Sequence, residues 1–113
     1  APFHSPLMEP AALVMADALG KVESHKPEIP LISNVLAYAV DDEKEIVQNL
    51  IKQVTGSVRW RETVLYLKEQ GVTDVVELGA GKVLSGIVKR SDKEMKAVSA
   101  GSAAEIEMLA NSL

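Results

Sequence analysis

The chain has no cysteine and only two histidines among its 113 residues. Disulfides and thiolate metal sites are therefore excluded, and two imidazoles alone do not assemble a metal centre. Basic residues are also in short supply, with 12 Lys and Arg against 16 Asp and Glu and a net charge of -4. A general nucleic-acid binder needs a surplus of cations to neutralise phosphates, so that class is set aside. No apolar run approaches the roughly 20 residues that span a bilayer. No charged region followed by an apolar stretch opens the sequence, so no signal peptide is visible in these residues, and the absence of cysteine fits a cytoplasmic location. Internal repeats and low-complexity tracts are missing too. What remains is ordinary globular composition, 47% hydrophobic and 25% charged, sufficient for one modest structural unit.

The most distinctive stretch is Phe3-His4-Ser5-Pro6, followed by Leu7-Met8-Glu9-Pro10. Each proline fixes its own φ and moves its predecessor out of the helical region, so His4 sits on a rigid, non-helical lead-in to a helix. A rigidly mounted imidazole titrates in the right range to act as a general base. The same local chemistry also describes a surface or capping histidine.

The pattern of the remaining residues predicts α/β layering. A helix is expected from Pro6 to Leu19 with Gly20 as its C-terminal cap. Pro27 to Val35 reads as a short strand buried on both faces. Asp41 or Asp42 caps a second helix carrying Ile46, Leu50, Ile51 and Val54 on one face, which Gly56 ends. Ser57 is placed to cap a third helix with the stripe Trp60, Val64 and Leu67, stopped by Gly71. Val72 to Leu78 is a second buried-strand candidate. Gly79-Ala80-Gly81 turns into an amphipathic segment with Val83, Leu84, Ile87 and Val88. Lys96 to Ala100 is a short strand and Ala103 to Leu113 a closing helix.

Two further segments carry chemical possibilities. A glycine-rich turn from strand into helix, such as Gly79 to Lys82, can direct amides at an anion. A P-loop, however, needs glycine and serine or threonine where Val76 and Val83 stand, so a tight structural turn is expected. His25 lies in a polar stretch and reads as a solvated loop residue. Arg59, Arg61, Lys82, Lys89 and Arg90 are the notable cations. Lys89 and Arg90 either complement a helix C-terminus or steer an acidic partner.

Three blocks together resemble the C-terminal part of malonyl-CoA:acyl-carrier-protein transacylases. They are Pro2-Phe3-His4-Ser5-Pro6-Leu7-Met8-Glu9-Pro10-Ala11-Ala12, Gln53-Val54-Thr55-Gly56-Ser57-Val58-Arg59-Trp60-Arg61-Glu62, and Glu77-Leu78-Gly79-Ala80-Gly81-Lys82-Val83-Leu84-Ser85-Gly86-Ile87-Val88-Lys89-Arg90. Ile29 to Val35 and Gln70 to Thr73 match the family between them. The family usually reads Gly-Pro-Gly where this chain has Gly79-Ala80-Gly81. Its nucleophilic Gly-His-Ser-Leu-Gly elbow is absent from these residues, and so is the arginine that grips the malonyl carboxylate. The resemblance thus implies a fragment: residues 1–113 as the C-terminal segment of the acyltransferase large subdomain, with parallel strands flanked by helices in an α/β-hydrolase-like core. The serine-elbow half and the ferredoxin-like subdomain would lie outside it. Sheet edges and apolar helix faces would then be open, and association is expected.

The resemblance also implies a mechanism. His4 takes the proton of the serine as it attacks malonyl-CoA, then serves the phosphopantetheine thiol of acyl carrier protein in a ping-pong cycle. The family orients this histidine with a backbone carbonyl, and the residue that corresponds is Gln53. Phe3 either anchors its loop or walls the acyl pocket, where a ring before the histidine accompanies malonyl rather than methylmalonyl. Lys89 and Arg90 become candidates for docking the acidic carrier. Coenzyme A enters as a thioester substrate, with no covalent cofactor and no metal. Expected partners are malonyl-CoA, acyl carrier protein and the missing N-terminal portion of the same enzyme, with neither nucleic acid nor membrane. The rival readings are a non-catalytic α/β module that binds acyl carrier protein and part of a multidomain polyketide or fatty-acid synthase.

Overall fold

A computed structural model describes residues 1–113. The chain divides into two compact units, residues 1–63 and 64–113.

In the first unit, a 3₁₀ turn, Pro6–Met8, leads into α1, Glu9–Gly20. The helix does not run continuously from Pro6. The N–H that should reach the Pro6 carbonyl would belong to Pro10, which has none; the carbonyl takes the N–H of Glu9 instead. Pro10 then falls within the first turn of α1, where a missing donor costs nothing. Gly20 is the last helical residue, one position earlier than a cap. Ala12 is the buried residue of α1, which packs against α2.

The strand expected over residues 27–35 is reduced to β1, Leu31–Ile32, paired antiparallel with β2, Ala39–Val40. Pro27 and Pro30 offer no N–H to a ladder, so regular pairing starts only after them. The connecting turn is held by Ala37 N–H donating to the Ser33 carbonyl at 2.8 Å and by Leu36 N–H donating to Ser33 Oγ. Asp42 caps α2, Glu43–Lys52, by accepting from the Glu45 amide at 2.9 Å. Asn49 is the buried residue of α2, while Leu50 of the expected apolar stripe is 37% exposed. Residues 57–59 are non-helical, and α3, Trp60–Glu69, opens beneath the Arg59 carbonyl, which accepts from Thr63. Ser57 therefore does not cap it.

The second unit is a β-α-β arrangement. β3, Asp74–Leu78, and β4, Lys96–Ala100, pair in parallel from Asp74 opposite Lys96 to Leu78 opposite Ala100. α4, Val83–Ser91, connects them and packs on both strands; α5, Ala103–Ser112, follows, capped by Ser102. This is the expected parallel, helix-flanked architecture. Its core is Val64, Val88, Met95 and Ala97, with Leu67 and Val75 packed against them. Val64 is almost fully buried, which contributes about 1.5–3 kcal/mol. β3 alternates in exposure and is covered on one face only: Val76, Leu78 and Val98 remain open. A carboxylate–ammonium pair of 3.0 Å between Asp92 and Lys68 joins α3 to the end of α4. Asp92 is the better-shielded partner, its side chain 10% exposed against 55% for Lys68.

Candidate active site

His4 occupies the left-handed region at φ 58°. This is an unusual conformation for a residue with a Cβ, and it is maintained by its neighbours. Ser5 Oγ donates to the Pro2 carbonyl at 2.6 Å, and the Ser5 carbonyl accepts from Met8 at 3.0 Å. The loop is thus tied on both sides of the imidazole.

The ring is anchored as well. His4 Nδ1 lies 2.7 Å from the main-chain oxygen of Gln53. A carbonyl only accepts, so Nδ1 carries the proton in this contact. In the neutral ring Nε2 is then the bare nitrogen, free to accept a proton from another group. Gln53 is the C-cap of α2, and carbonyls at a helix end lack intrahelical partners, which leaves this oxygen available. The Gln53 side chain is engaged too: Asn34 Nδ2 donates to Gln53 Oε1 at 3.1 Å. The Asn34 carbonyl in turn accepts from the Arg59 amide at 3.0 Å.

The sequence singled out His4 and Gln53, and the fold brings them together across 49 positions. Phe3 is 68% exposed beside His4. Lys89 and Arg90 lie exposed in the last turn of α4. His25 is a solvated loop residue, 3.5 Å from the exposed Glu23. A groove of about 210 Å³ borders Gln53 and Asn34, lined also by Leu31, Ile46 and Asn49, whose buried Nδ2 has no partner.

The turn over Gly79 to Lys82 is structural. Gly79 at φ 124° and Gly81 at φ 88° take conformations open to glycine. Two amides at the start of α4 are already taken: Glu77 accepts from Leu84 N–H at 3.2 Å and from Ser85 N–H at 2.8 Å. It also accepts from the Ser85 hydroxyl at 2.7 Å. The Ser85 amide, with its hydroxyl and the Leu84 amide, holds the Glu77 carboxyl below the usual glutamate range. Sequence reasoning missed this role. The available signal was a carboxylate set between the apolar Val76 and Leu78 near the end of the strand, ahead of a helix N-terminus.

No family model matches the chain. It is 37% identical over 112 residues to the malonyl CoA-acyl carrier protein transacylase of Bacillus subtilis, covering 99% of this chain and 35% of that protein. Among solved structures, an acyl-carrier-protein S-malonyltransferase from Bartonella henselae superposes with a TM-score of 0.88 at 46% identity, covering 99% of this chain and 36% of that one. A malonyl-transacylase solved with its type II PKS acyl-carrier protein matches at a TM-score of 0.84 and 36% identity, over 98% of this chain and 36% of that one. The chain therefore spans about a third of the length of the relatives it matches. No helix is long and apolar enough to cross a membrane.

Proposed function

We propose that this chain, which resembles malonyl CoA-acyl carrier protein transacylases over about a third of their length, is a segment of such an enzyme and supplies its general base, His4. The observation that carries the reading is the contact of His4 Nδ1 with the Gln53 carbonyl, which leaves Nε2 as the proton acceptor. In the parent enzyme, Nε2 removes the proton of a serine contributed by the remaining sequence. The serine oxygen attacks the malonyl thioester, the carbon–sulfur bond breaks, and coenzyme A leaves with the proton. The thiol of a phosphopantetheinyl carrier protein then loses its proton to the same nitrogen and takes the malonyl group, regenerating the serine. The main-chain oxygen does what a carboxylate does in a serine triad: it holds the tautomer and the ring orientation.

Residues 1–113 are read as the C-terminal segment of the acyltransferase large subdomain, working in fatty-acid biosynthesis in the cytoplasm. Phe3, adjoining His4 in sequence, is assigned to the acyl pocket, where its ring disfavours an α-methyl group; one methyl accounts for only about 1–3 kcal/mol of discrimination. Lys89 and Arg90 are assigned to carrier docking, where opposite charge accelerates encounter. The relative solved with its acyl-carrier protein supports a carrier as acceptor.

The test is malonyl transfer from malonyl-CoA to a carrier protein by the parent enzyme. His4→Ala is expected to lower kcat/KM by about 10²–10⁴-fold. Transfer at the unsubstituted rate in that variant overturns the assignment.

A further inference from the structure

Resting on the reading of His4 as the base, we infer that Asn34 is a positioning residue of this site, acting on His4 through Gln53. The oxygen that meets His4 belongs to the residue that closes α2, where the regular ladder ends. The Gln53 N–H is still held by the Asn49 carbonyl at 3.0 Å, but the peptide that follows enters a non-helical segment running to Arg59. That peptide keeps one tie to the helix, Val54 N–H donating to the Ile51 carbonyl at 3.2 Å, and Gly56 N–H donates to the Lys52 carbonyl at 2.9 Å. The direction of the Gln53 carbonyl depends on these bonds together with what holds the side chain of Gln53 and the far end of the segment.

Asn34 restrains both ends of that segment. Its side-chain amide donates to Gln53 Oε1 at 3.1 Å, and its main-chain oxygen accepts from Arg59 N–H at 3.0 Å. Arg59 Nη1 also approaches the Leu36 carbonyl at 3.5 Å. Between these ends, Gly56 lets the segment lie against the loop. A Cβ there would stand 2.9 Å from the Lys52 oxygen and 3.0 Å from Val35 Cγ1. Asn34 and Gln53 are both half-buried, so their bond is partly shielded from competing water. An asparagine suits the position because one short side chain spans to Gln53 while its own backbone reaches Arg59. Since Asn34 touches the imidazole's partner and not the imidazole itself, its effect is expected on the geometry of proton transfer and not on substrate binding.

The test uses the full-length parent enzyme. Asn34→Ala is expected to lower kcat about 10–100-fold with KM for malonyl-CoA little changed, the size of effect that a misplacement near 1 Å produces. Asn34→Asp is expected to recover most of it, because the Gln53 amide can turn over and donate to the new carboxylate. Gln53→Ala keeps the main-chain oxygen but loses the tether, so it is expected to match Asn34→Ala, and the double variant to be no worse than either. ¹⁵N spectra of the neutral His4 ring provide a readout that general destabilisation does not move: one Nδ1–H tautomer in the parent, a mixture in Asn34→Ala. Unchanged kcat, an unchanged tautomer, or fully additive losses in the double variant overturn the inference. Transfer at the unsubstituted rate in His4→Ala, with the tautomer still altered by Asn34→Ala, upholds the tether and overturns the general-base reading.

Discussion

His4 and Gln53, 49 positions apart, meet through a 2.7 Å contact between an imidazole nitrogen and a main-chain oxygen. The residue that makes this contact through its ring, His4, holds the left-handed backbone, φ 58°. Local strain of this kind is retained where the surroundings over-determine it.

That strain separates stability from activity. At a left-handed position a Cβ is unfavourable, so His4→Gly is expected to be more stable than His4→Ala by about 1 kcal/mol. Both variants lack the base and are expected to be equally inactive. Denaturant unfolding of the two checks the order, and His4→Ala proving the more stable would contradict the strain.

Glu77 makes acid stability a property of the second unit. Its carboxyl is held below the ordinary range by the Ser85 amide first, then by the Ser85 hydroxyl and the Leu84 amide. A depressed folded pKa contributes stability that is complete above the unfolded value, about 4.3, and is lost as pH falls through the folded one. Glu77→Gln is expected to melt lower at pH 7 and to lose less of its Tm between about pH 5 and pH 3. Thermal scans across that interval decide it; parallel acid slopes for the two proteins would rule out Glu77 as the source.

The turn from β3 to α4 offers a stabilising change. Ala80 lies between two glycines at positive φ and its N–H makes no backbone hydrogen bond. Proline there removes freedom from the unfolded chain, so Ala80→Pro is expected to add about 0.4–1 kcal/mol. Gly81→Ala, which forces a Cβ onto φ 88°, is expected to subtract about 1–2 kcal/mol. Chemical denaturation of both variants measures the pair. A loss in Ala80→Pro would show that residue 80 departs from the φ that proline needs.

The open face of β3 and β4 bears Val76, Leu78 and Val98, exposed by 42%, 65% and 50%. Adjacent exposed apolar side chains on a two-stranded sheet favour association. The 113-residue chain by itself is expected to gain average mass with concentration in sedimentation, and Val98→Lys to reduce that gain. Concentration-independent monomer for the unsubstituted chain would contradict the expectation.

Much of the local structure was legible in the residues because the forces that make it act within a few positions. Asp42 caps α2 through an amide three residues on, and Gly79 and Gly81 mark the β3 to α4 turn. The β3, α4, β4 and α5 segments fall close to where their periodicity places them. Short-range rules failed where a proline removed a donor: Pro10 reset the first helix, and Pro27 and Pro30 shortened β1 to two residues. His4 stood out by its rigid surroundings, but Gln53 came from family resemblance, since nothing in a glutamine at a helix end announces a histidine partner.

The residues alone name the groups that could do chemistry here: an imidazole on a stiff loop, no thiol, and a glycine turn that lacks the residues of a P-loop. Which groups meet is settled by the folding of distant segments onto one another. The Gln53 oxygen and the Asn34 tether are contacts between segments 49 and 19 positions apart. The first is made by a main-chain atom that every residue possesses, so its identity is carried by position in space and not by side-chain type. The same holds for Glu77, whose charge is legible in the sequence while its donors, seven and eight positions away, reach it only once α4 folds back on the strand.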